Sequence, residues 1–306
     1  MSSYNVLLYH GVHDDDCDLG LFNRSGKHIS IARFRAQMKD LAENHQVVSL
    51  SDIISAHYGE ADIPDDAVAI TFDDGFLNNY STAWPVLEEF QIPAVIYLAT
   101  GFIGTGRSVW SDRLEKSILG STSAHCLPQE FGLNSVYNID SEQSRVDAFL
   151  DIKSFCKNLA NVQKDDLVTR IEAHLGAPDF SGHPLFEFMN WDQVREMNES
   201  RLISFGAHTV DHVSLGKVPS DEMRFQIKQS VAKVSKELGD VVRFFSYPEG
   251  MEQDFNQNVI NFLREQGFNH CPTAMFGSND TDITDPFRIK RNMVGFEGRP
   301  YPYSDI

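Results

Sequence analysis

The sequence predicts an α/β fold, a parallel sheet wrapped by helices, and three observations carry that expectation. Short apolar runs of strand length recur along the chain. Stretches with apolar residues at three- and four-residue spacing separate them, and each of the strongest runs ends in polar, chemistry-bearing residues. Strands alternating with helices of 10–15 residues build βαβ units. Seven or eight such strands close into a barrel, whereas fewer leave an open sheet.

Residues 5–9 (NVLLY) form the first run, which stops at a loop carrying His10 and His13. Ser30 is placed to cap a helix in which Phe34, Met38 and Leu41 recur at spacings of four and three. Residues 47–50 make a brief strand. Residues 67–72 (AVAITF) read as a buried strand ending at Asp73, Asp74 and Gly75. Tyr80, Ala83, Trp84, Leu87 and Phe90 then repeat at helical spacing, with Pro85 confined to an early turn or a kink. Residues 94–98 (AVIYL) are the next strand.

From about residue 102 to 185 the rhythm breaks into scattered helical pieces, including a stretch over 147–175. No Pro- or Gly-rich linker flanks this interval. It therefore reads as a mostly helical insertion on one loop face of a single unit spanning residues 1–306. The pattern resumes with a helix capped by Asn190, a strand at 202–205 and a helix at 219–238. A strand at 241–247, a helix at 255–266 and a short extended piece at 268–271 follow.

The chain of 306 residues is twice the usual length of one domain, about 150. Its 42% hydrophobic content is ordinary, so burial can fold it without staples. Lys and Arg total 26 against 44 Asp and Glu, a net charge of −18. With no polybasic stretch, that balance excludes a nucleic-acid backbone or an anionic membrane surface as partner. Cys17, Cys126, Cys156 and Cys271 lie far apart, which gives neither a disulfide framework nor a cysteine zinc knuckle. The first residues lack the basic head of a signal peptide, and no apolar run reaches membrane-spanning length. The expected location is cytoplasmic, provided no leader precedes this sequence.

Three strand ends supply the chemistry. Adjacent carboxylates behind an apolar strand resist joint ionisation unless paired or metal-bound. Asp73 and Asp74 point in different directions on extended backbone, so one can bind a cation while the other faces a reacting group. His208 and His212 follow the strand at 202–205 with three residues between them, and a helical turn brings both to one cation. Asp74, His208 and His212 together form a two-His, one-carboxylate set that leaves positions open for water, as a catalytic metal requires. The third end, residues 241–250, runs through Tyr247 and Pro248 into a turn beside the same pocket. Backbone N–H groups near Tyr247 are placed to stabilise an oxyanion. His10 directly follows the first strand and is the better site candidate than His13. Asp14, Asp15 and Asp16 lack the alternating spacing of a calcium loop and read as a solvated acidic loop.

These residues resemble the NodB-like polysaccharide deacetylases, carbohydrate esterase family 4. Residues 71–75 (TFDDG) match the first motif, 208–212 (HTVDH) the second and 245–250 (FSYPEG) the third. The resemblance implies a distorted (β/α) barrel of seven strands that hydrolyses N- or O-acetyl groups on sugars. It implies one divalent ion, Zn²⁺ first and Co²⁺, Mn²⁺ or Ni²⁺ as alternatives. It casts Asp73 as catalytic base, Asp74, His208 and His212 as metal ligands, and the Tyr247 backbone N–H as part of the oxyanion hole. Residues 8–12 (LYHGV) are similar to the subgroup acting on exopolysaccharides and poly-N-acetylglucosamine, in which a histidine at the place of His10 lies in the active site.

The chain departs from the family where Ser246 replaces an Arg that orients the base, and where Glu249 replaces an aromatic residue. No Leu-x-His segment follows to supply a general acid, which leaves His10 or another group to protonate the leaving amine. Arg288 or Arg291 replaces the missing Arg from the last strand; Arg243 enters its strand at the far end and fits less well. Phe102, Trp110, Phe188 and Trp191 offer flat surfaces for sugar rings. Arg107 and Arg113 are placed to meet an anionic group such as a nucleotide or a lipid-linked diphosphate. The expected function is metal-dependent deacetylation of an acetylated sugar or glycan precursor, Asp73 acting as general base. The alternatives are a metal-dependent amidohydrolase acting on a non-sugar amide or imide, and an inactive carbohydrate-binding protein.

Overall fold

Strands with apolar residues on both faces must be covered on both faces. In the computed structural model, which describes residues 2–122, 126–133, 135–176, 180–240 and 242–306, they are. The elements run β1 (Ser3–Tyr9), β2 (Gly11–His13), β3 (His28–Ser30), α1 (Ile31–Asn44), α2 (Leu50–His57), β4 (Ala67–Phe72), α3 (Trp84–Glu89) and β5 (Ala94–Leu98). The inserted part holds α4 (Trp110–Leu119), β6 (Cys126–Leu127), β7 (Tyr137–Asn138), α5 (Glu142–Lys157) and α6 (Asn161–Leu175). The chain returns through α7 (Trp191–Glu199), β8 (Ile203–Ala207), α8 (Ser220–Leu238), α9 (Gln257–Glu265), β9 (Asn279–Asp280) and β10 (Asn292–Met293). Every residue of β4 and β5 is buried.

The sheet order is β10-β1-β4-β5-β8, parallel throughout, with β9 antiparallel to β1 at one corner. Tyr9 pairs with Phe72, Phe72 with Ile96, and Leu98 with Ala207, so the strand ends share one rim. Beyond β8 the path continues by single parallel bridges, Ala207 to Phe245 and Pro272 to Ile289. The Ala274 N–H donating to the Gly250 carbonyl at 2.9 Å ties these two segments together. Among the described residues this gives a distorted barrel, five laddered strands and two bridged segments, with the helical insertion on its rim.

Several expectations need correction. Residues 241–247 and 268–271 do not form laddered strands among the described residues; Val241 lies outside them. Pro248 and Pro272 interrupt this side of the barrel, and proline donates nothing to a ladder. Of residues 47–50, only Val47 bridges the sheet, to Val68. Ser49 instead caps α2 in a reciprocal box with Asp52, which diverts the chain into helix. The stretch 147–175 is two helices broken after Lys157. Pro85 sits at the second position of α3, behind a π-helical turn at Asn79–Ala83.

Helices α1, α3, α7, α8 and α9 pack on the barrel through Phe34, Leu87, Val194, Ile227 and Leu263, all in one core. The insertion holds a separate apolar cluster including Leu114, Ile118, Phe149, Ile152, Val168 and Ile171. Fully buried Phe72 joins β4 to the rest of the main core, with ring centroids 5.4 Å from Tyr9 and 5.9 Å from Phe34. Phe72→Ala should lower unfolding free energy by about 3–5 kcal/mol in a urea titration. A loss under about 1 kcal/mol would show that β4 is not the central strand of the packing.

Candidate active site

Asp73 and Asp74 leave the rim end of β4 and both are buried, each 4% exposed. The turn is tight: Asp74 has φ +77° and Gly75 φ +88°, and a Cβ on Gly75 would stand 2.7 Å from a Leu98 methyl group. The two carboxylates thereby diverge. Fully buried Arg291 grips Asp73 with both arms, Nη1 to Oδ1 and Nη2 to Oδ2, each at 2.8 Å. Its Nε donates to the Thr273 carbonyl at 2.6 Å, which fixes the guanidinium plane. Burial raises the Asp73 pKa, but the Arg291 charge, then His208, overcome that and hold it down to about 2. Asp73 is an ionised, pinned carboxylate.

Asp74 has no such partner. Its Oδ1 is buried without a hydrogen bond and lies 3.3 Å from His212 Nε2 and 3.8 Å from His208 Nε2. Burial pushes its pKa up to about 6 against the opposing pull of His212 and Lys27. His208 is aimed by its other nitrogen: Nδ1 lies 2.9 Å from the Ser246 carbonyl and 2.7 Å from the Ser246 hydroxyl. A proton on Nδ1 donated to that carbonyl leaves the Nε2 lone pair facing Asp74, the outer-shell arrangement of a ligating histidine. Burial depresses the His208 pKa to about 3, so the ring is neutral. One donor atom from each of Asp74, His208 and His212 lies within 4.8 Å of the others. An orphaned carboxylate oxygen facing two imidazole nitrogens fits a divalent cation, and a divalent metal-binding site is present.

A cavity of about 300 Å³ opens above these groups. Asp73, Asp74, His208, His212 and His10 line it, with Glu249, Trp110 and several lysines. His10 is partly exposed to the cavity, stacks on Phe296 at 5.2 Å and anchors its carbonyl on Asn79 at 2.7 Å. The surrounding protein desolvates it and pushes its pKa down to about 3.

Other expected residues fall elsewhere. Tyr247 does not line the cavity: its ring stacks on Phe255 at 4.2 Å, its hydroxyl donates to the Phe287 carbonyl, and its N–H faces the Cys271 thiol. Glu249, two residues on with φ +62°, occupies the cavity wall instead, and its N–H meets no acceptor among the described residues. The structure does not bring Arg288 to Asp73, because it forms an ion pair with Glu252 at 2.6 Å on the surface. Arg107 pairs with Asp211, and Arg113 with Asp165 and Glu172, so neither is free for a substrate anion. Phe102 and Phe188 stack on each other, and Trp191 packs on the barrel core beneath Lys233. Of the four aromatic platforms, Trp110 lines the cavity. Asp14, Asp15 and Asp16 are exposed, and His13 turns to the Asp14 carbonyl.

Sequence reading missed the positioning role of Ser246 and the cavity lysines. Ser246 is visible as the residue standing where an Arg is usual; the lysines carry no local signal, because the packing of distant segments brings them to the cavity, Lys153, Lys157 and Lys164 from the insertion and Lys27 and Lys217 from outside it. Arg291→Gln should destabilise the protein by about 3–5 kcal/mol at neutral pH, since it strands a buried carboxylate. The Asp73 pKa is depressed, so its stabilising contribution is complete above the unfolded carboxylate value and drains as pH falls through about 2. The deficit of the variant, followed by thermal unfolding, should therefore narrow below about pH 4. A deficit independent of pH would contradict the pairing.

A family model described as Polysaccharide deacetylase matches residues 60–128 and 157–271, and the gap between the two stretches contains nearly all of α5. Over 95 residues the chain is 34% identical to the poly-beta-1,6-N-acetyl-D-glucosamine N-deacetylase of Escherichia coli K12. That match covers 31% of this chain and 13% of the relative, so the chain spans only a small part of that protein's length. IcaB from Ammonifex degensii superposes with a TM-score of 0.59 at 20% identity, covering 96% of this chain and 92% of that one. The Streptococcus pyogenes deacetylase PplD, solved in complex with acetate, gives 0.59 at 15% identity over 97% and 94%. These two likenesses are of fold, a distorted (β/α) barrel. With more than half of its residues matched by the family model, the chain belongs to the polysaccharide deacetylase family.

Proposed function

We propose that this protein is a metal-dependent hydrolase that removes an acetyl group, the N-acetyl group first, from a sugar or glycan precursor. The observation that carries the reading is one ionised carboxylate, Asp73, fixed by Arg291 beside the separate donor set Asp74, His208 and His212 on one cavity. The name of the Escherichia coli relative supports N-deacetylation as the reaction class. Two imidazoles and a carboxylate suit Zn²⁺, with Co²⁺, Mn²⁺ or Ni²⁺ as alternatives. When bound there, the ion acidifies a water and polarises the acetyl carbonyl.

The chain's own residues supply the rest. Asp73 accepts the proton that water loses as it adds to the acetyl carbon. Its low pKa makes it a weak base, but Arg291 guarantees that it is ionised and aimed. Glu249 lines the cavity and its N–H meets no acceptor among the described residues, so it is assigned as the backbone donor for the developing oxyanion. His10 is neutral near pH 7, so it serves as a hydrogen-bonding group rather than a proton reservoir. The proton gained by Asp73 is then the one delivered to the departing sugar nitrogen, releasing acetate and the free amine. Trp110 presents an apolar face to the sugar at the cavity edge.

Asp73→Asn should keep the bound metal, measured by elemental analysis, while acetate release falls at least about 100-fold. His208→Ala should lose metal and activity together. Equal metal loss in both variants would overturn this division of roles. Hydrolysis of small cyclic amides with no acetate released from any acetylated sugar would overturn the substrate class.

A further inference from the structure

The charge of the cavity does not follow the charge of the chain. Acidic residues outnumber basic ones 44 to 26 in the chain, yet Lys27, Lys153, Lys157, Lys164 and Lys217, with Arg299, line the cavity beside five carboxylates. Three of these lysines are matched. Lys27 pairs with Asp112, Lys157 with Glu297 at 2.8 Å, and Lys217 with Asp254 at 3.0 Å.

Lys153 and Lys164 are not matched. They are 7% and 6% exposed, and neither has a carboxylate at ion-pair distance among the described residues. Lys153 donates to the Ser25 hydroxyl at 2.6 Å and lies over the Phe296 ring at 4.7 Å. The Lys164 ammonium lies over the Trp110 ring at 4.7 Å and donates to no acceptor among the described residues. Burying an ammonium without its counter-charge costs several kcal/mol. Lys164 is also the fourth residue of α6, at the helix end where the dipole disfavours a cation. The Glu249 carboxylate on the same cavity wall, held by the Trp110 indole N–H at 3.3 Å, attracts both lysines from beyond ion-pair distance. One carboxylate shared by two buried ammonium groups leaves a positive excess, which marks the seat of a further anion. Both lysines come from inserted helices, whereas the reacting groups come from the barrel rim. The insertion thus places positive charge opposite the catalytic residues.

Resting on the deacetylase reading for the acetyl end, we propose that the substrate is a phosphorylated acetylated sugar whose phosphate or diphosphate is held by Lys153 and Lys164. A phosphomonoester carries about two negative charges near neutral pH. It therefore matches two unpaired ammonium groups where a single carboxylate matches one. The Trp110 ring beneath Lys164 gives the sugar an apolar face beside the anion.

The test is calorimetric titration of chelator-treated protein, so that phosphate cannot bind through a metal. The probes are N-acetylglucosamine, its 1-phosphate, pyrophosphate and glucuronate. The phosphorylated sugar and pyrophosphate should bind at least about tenfold tighter than the neutral sugar and glucuronate. Lys153→Met and Lys164→Met should each erase most of that gain, while Lys→Arg at either position retains it. Methionine removes the buried charge and keeps an apolar side chain of similar length, so both variants should fold; Lys→Gln at either position serves as a second pair. Equal binding of neutral and phosphorylated sugar overturns the proposal. So does a preference for glucuronate, or phosphate affinity unchanged in the substituted proteins. Acetate release from neutral sugars with no phosphate preference would end this inference and leave the deacetylase reading standing. Lysine-dependent phosphate binding without acetate release, with any of the four metals supplied, would end the deacetylase reading and leave the anion seat.

Discussion

The buried fork between Arg291 and Asp73 is the interaction on which the site depends. A carboxylate in so dry a place would ordinarily protonate, and two adjacent carboxylates would do so more readily. Arg291 keeps Asp73 ionised in the resting site by matching both of its oxygens. The guanidinium is itself held by the Thr273 carbonyl and approaches the Thr71 hydroxyl. The same pair joins the segment leading into β10 to the end of β4, the two strands that flank β1, so the geometry that tunes the acid also ties these strand ends together. Asp74, denied any such partner, is left with a buried, unbonded oxygen facing two imidazole nitrogens, a set suited to a cation.

Strain is concentrated where the chemistry is. Among the non-glycine residues with positive φ, Asp74, Thr209, His212 and Glu249 all belong to the turns that follow barrel strands at this rim. Each such residue costs about 1–3 kcal/mol unless its surroundings impose it. Here the surroundings do, through hydrogen bonds such as Ala99 N–H to the Asp74 carbonyl and Thr100 N–H to the Thr209 carbonyl. The rigid parallel ladder of β4, β5 and β8 thus enforces unfavourable backbone at its ends. That backbone turns Asp74 and His212 toward one point.

The insertion extends this logic. It carries its own apolar cluster, from which Lys153 and Lys164 reach the cavity, Lys153 steadied by Ser25 and Phe296 outside the insertion and Lys164 by Trp110 within it. Lys27, from the loop before β3, pairs with the fully buried Asp112 of α4, and Asn23 N–H donates to Glu115. These buried polar links fasten the insertion to the catalytic rim. The cavity consequently has one wall built for reaction and another built for charge.

How much of this was legible in the sequence follows from the range of the forces involved. Apolar runs and helical spacing are local, so β4 and β5 were readable to the residue, and so were the caps Ser30 and Asn190. Asp73, Asp74, His208 and His212 were readable as well, because strand-end turns place them within a few residues of a periodic element. The pairing of Arg291 rather than Arg288 with Asp73 was not, for the two differ only in which side of the last segment faces the barrel. That Glu249 and not Tyr247 lines the cavity was hidden for a similar reason: the chain turns sharply through Pro248 and Gly250, and local pattern does not say which residue points inward. The amino-acid order alone determined the central strands β1, β4, β5 and β8, their rim and the metal-binding set, through short-range periodicity and turn chemistry. Only the tertiary structure decided which arginine pins Asp73 and which lysines overlook the cavity, because those choices rest on contacts between segments distant in the chain, 218 residues for Arg291 and Asp73 and 128 for Lys153 and Ser25.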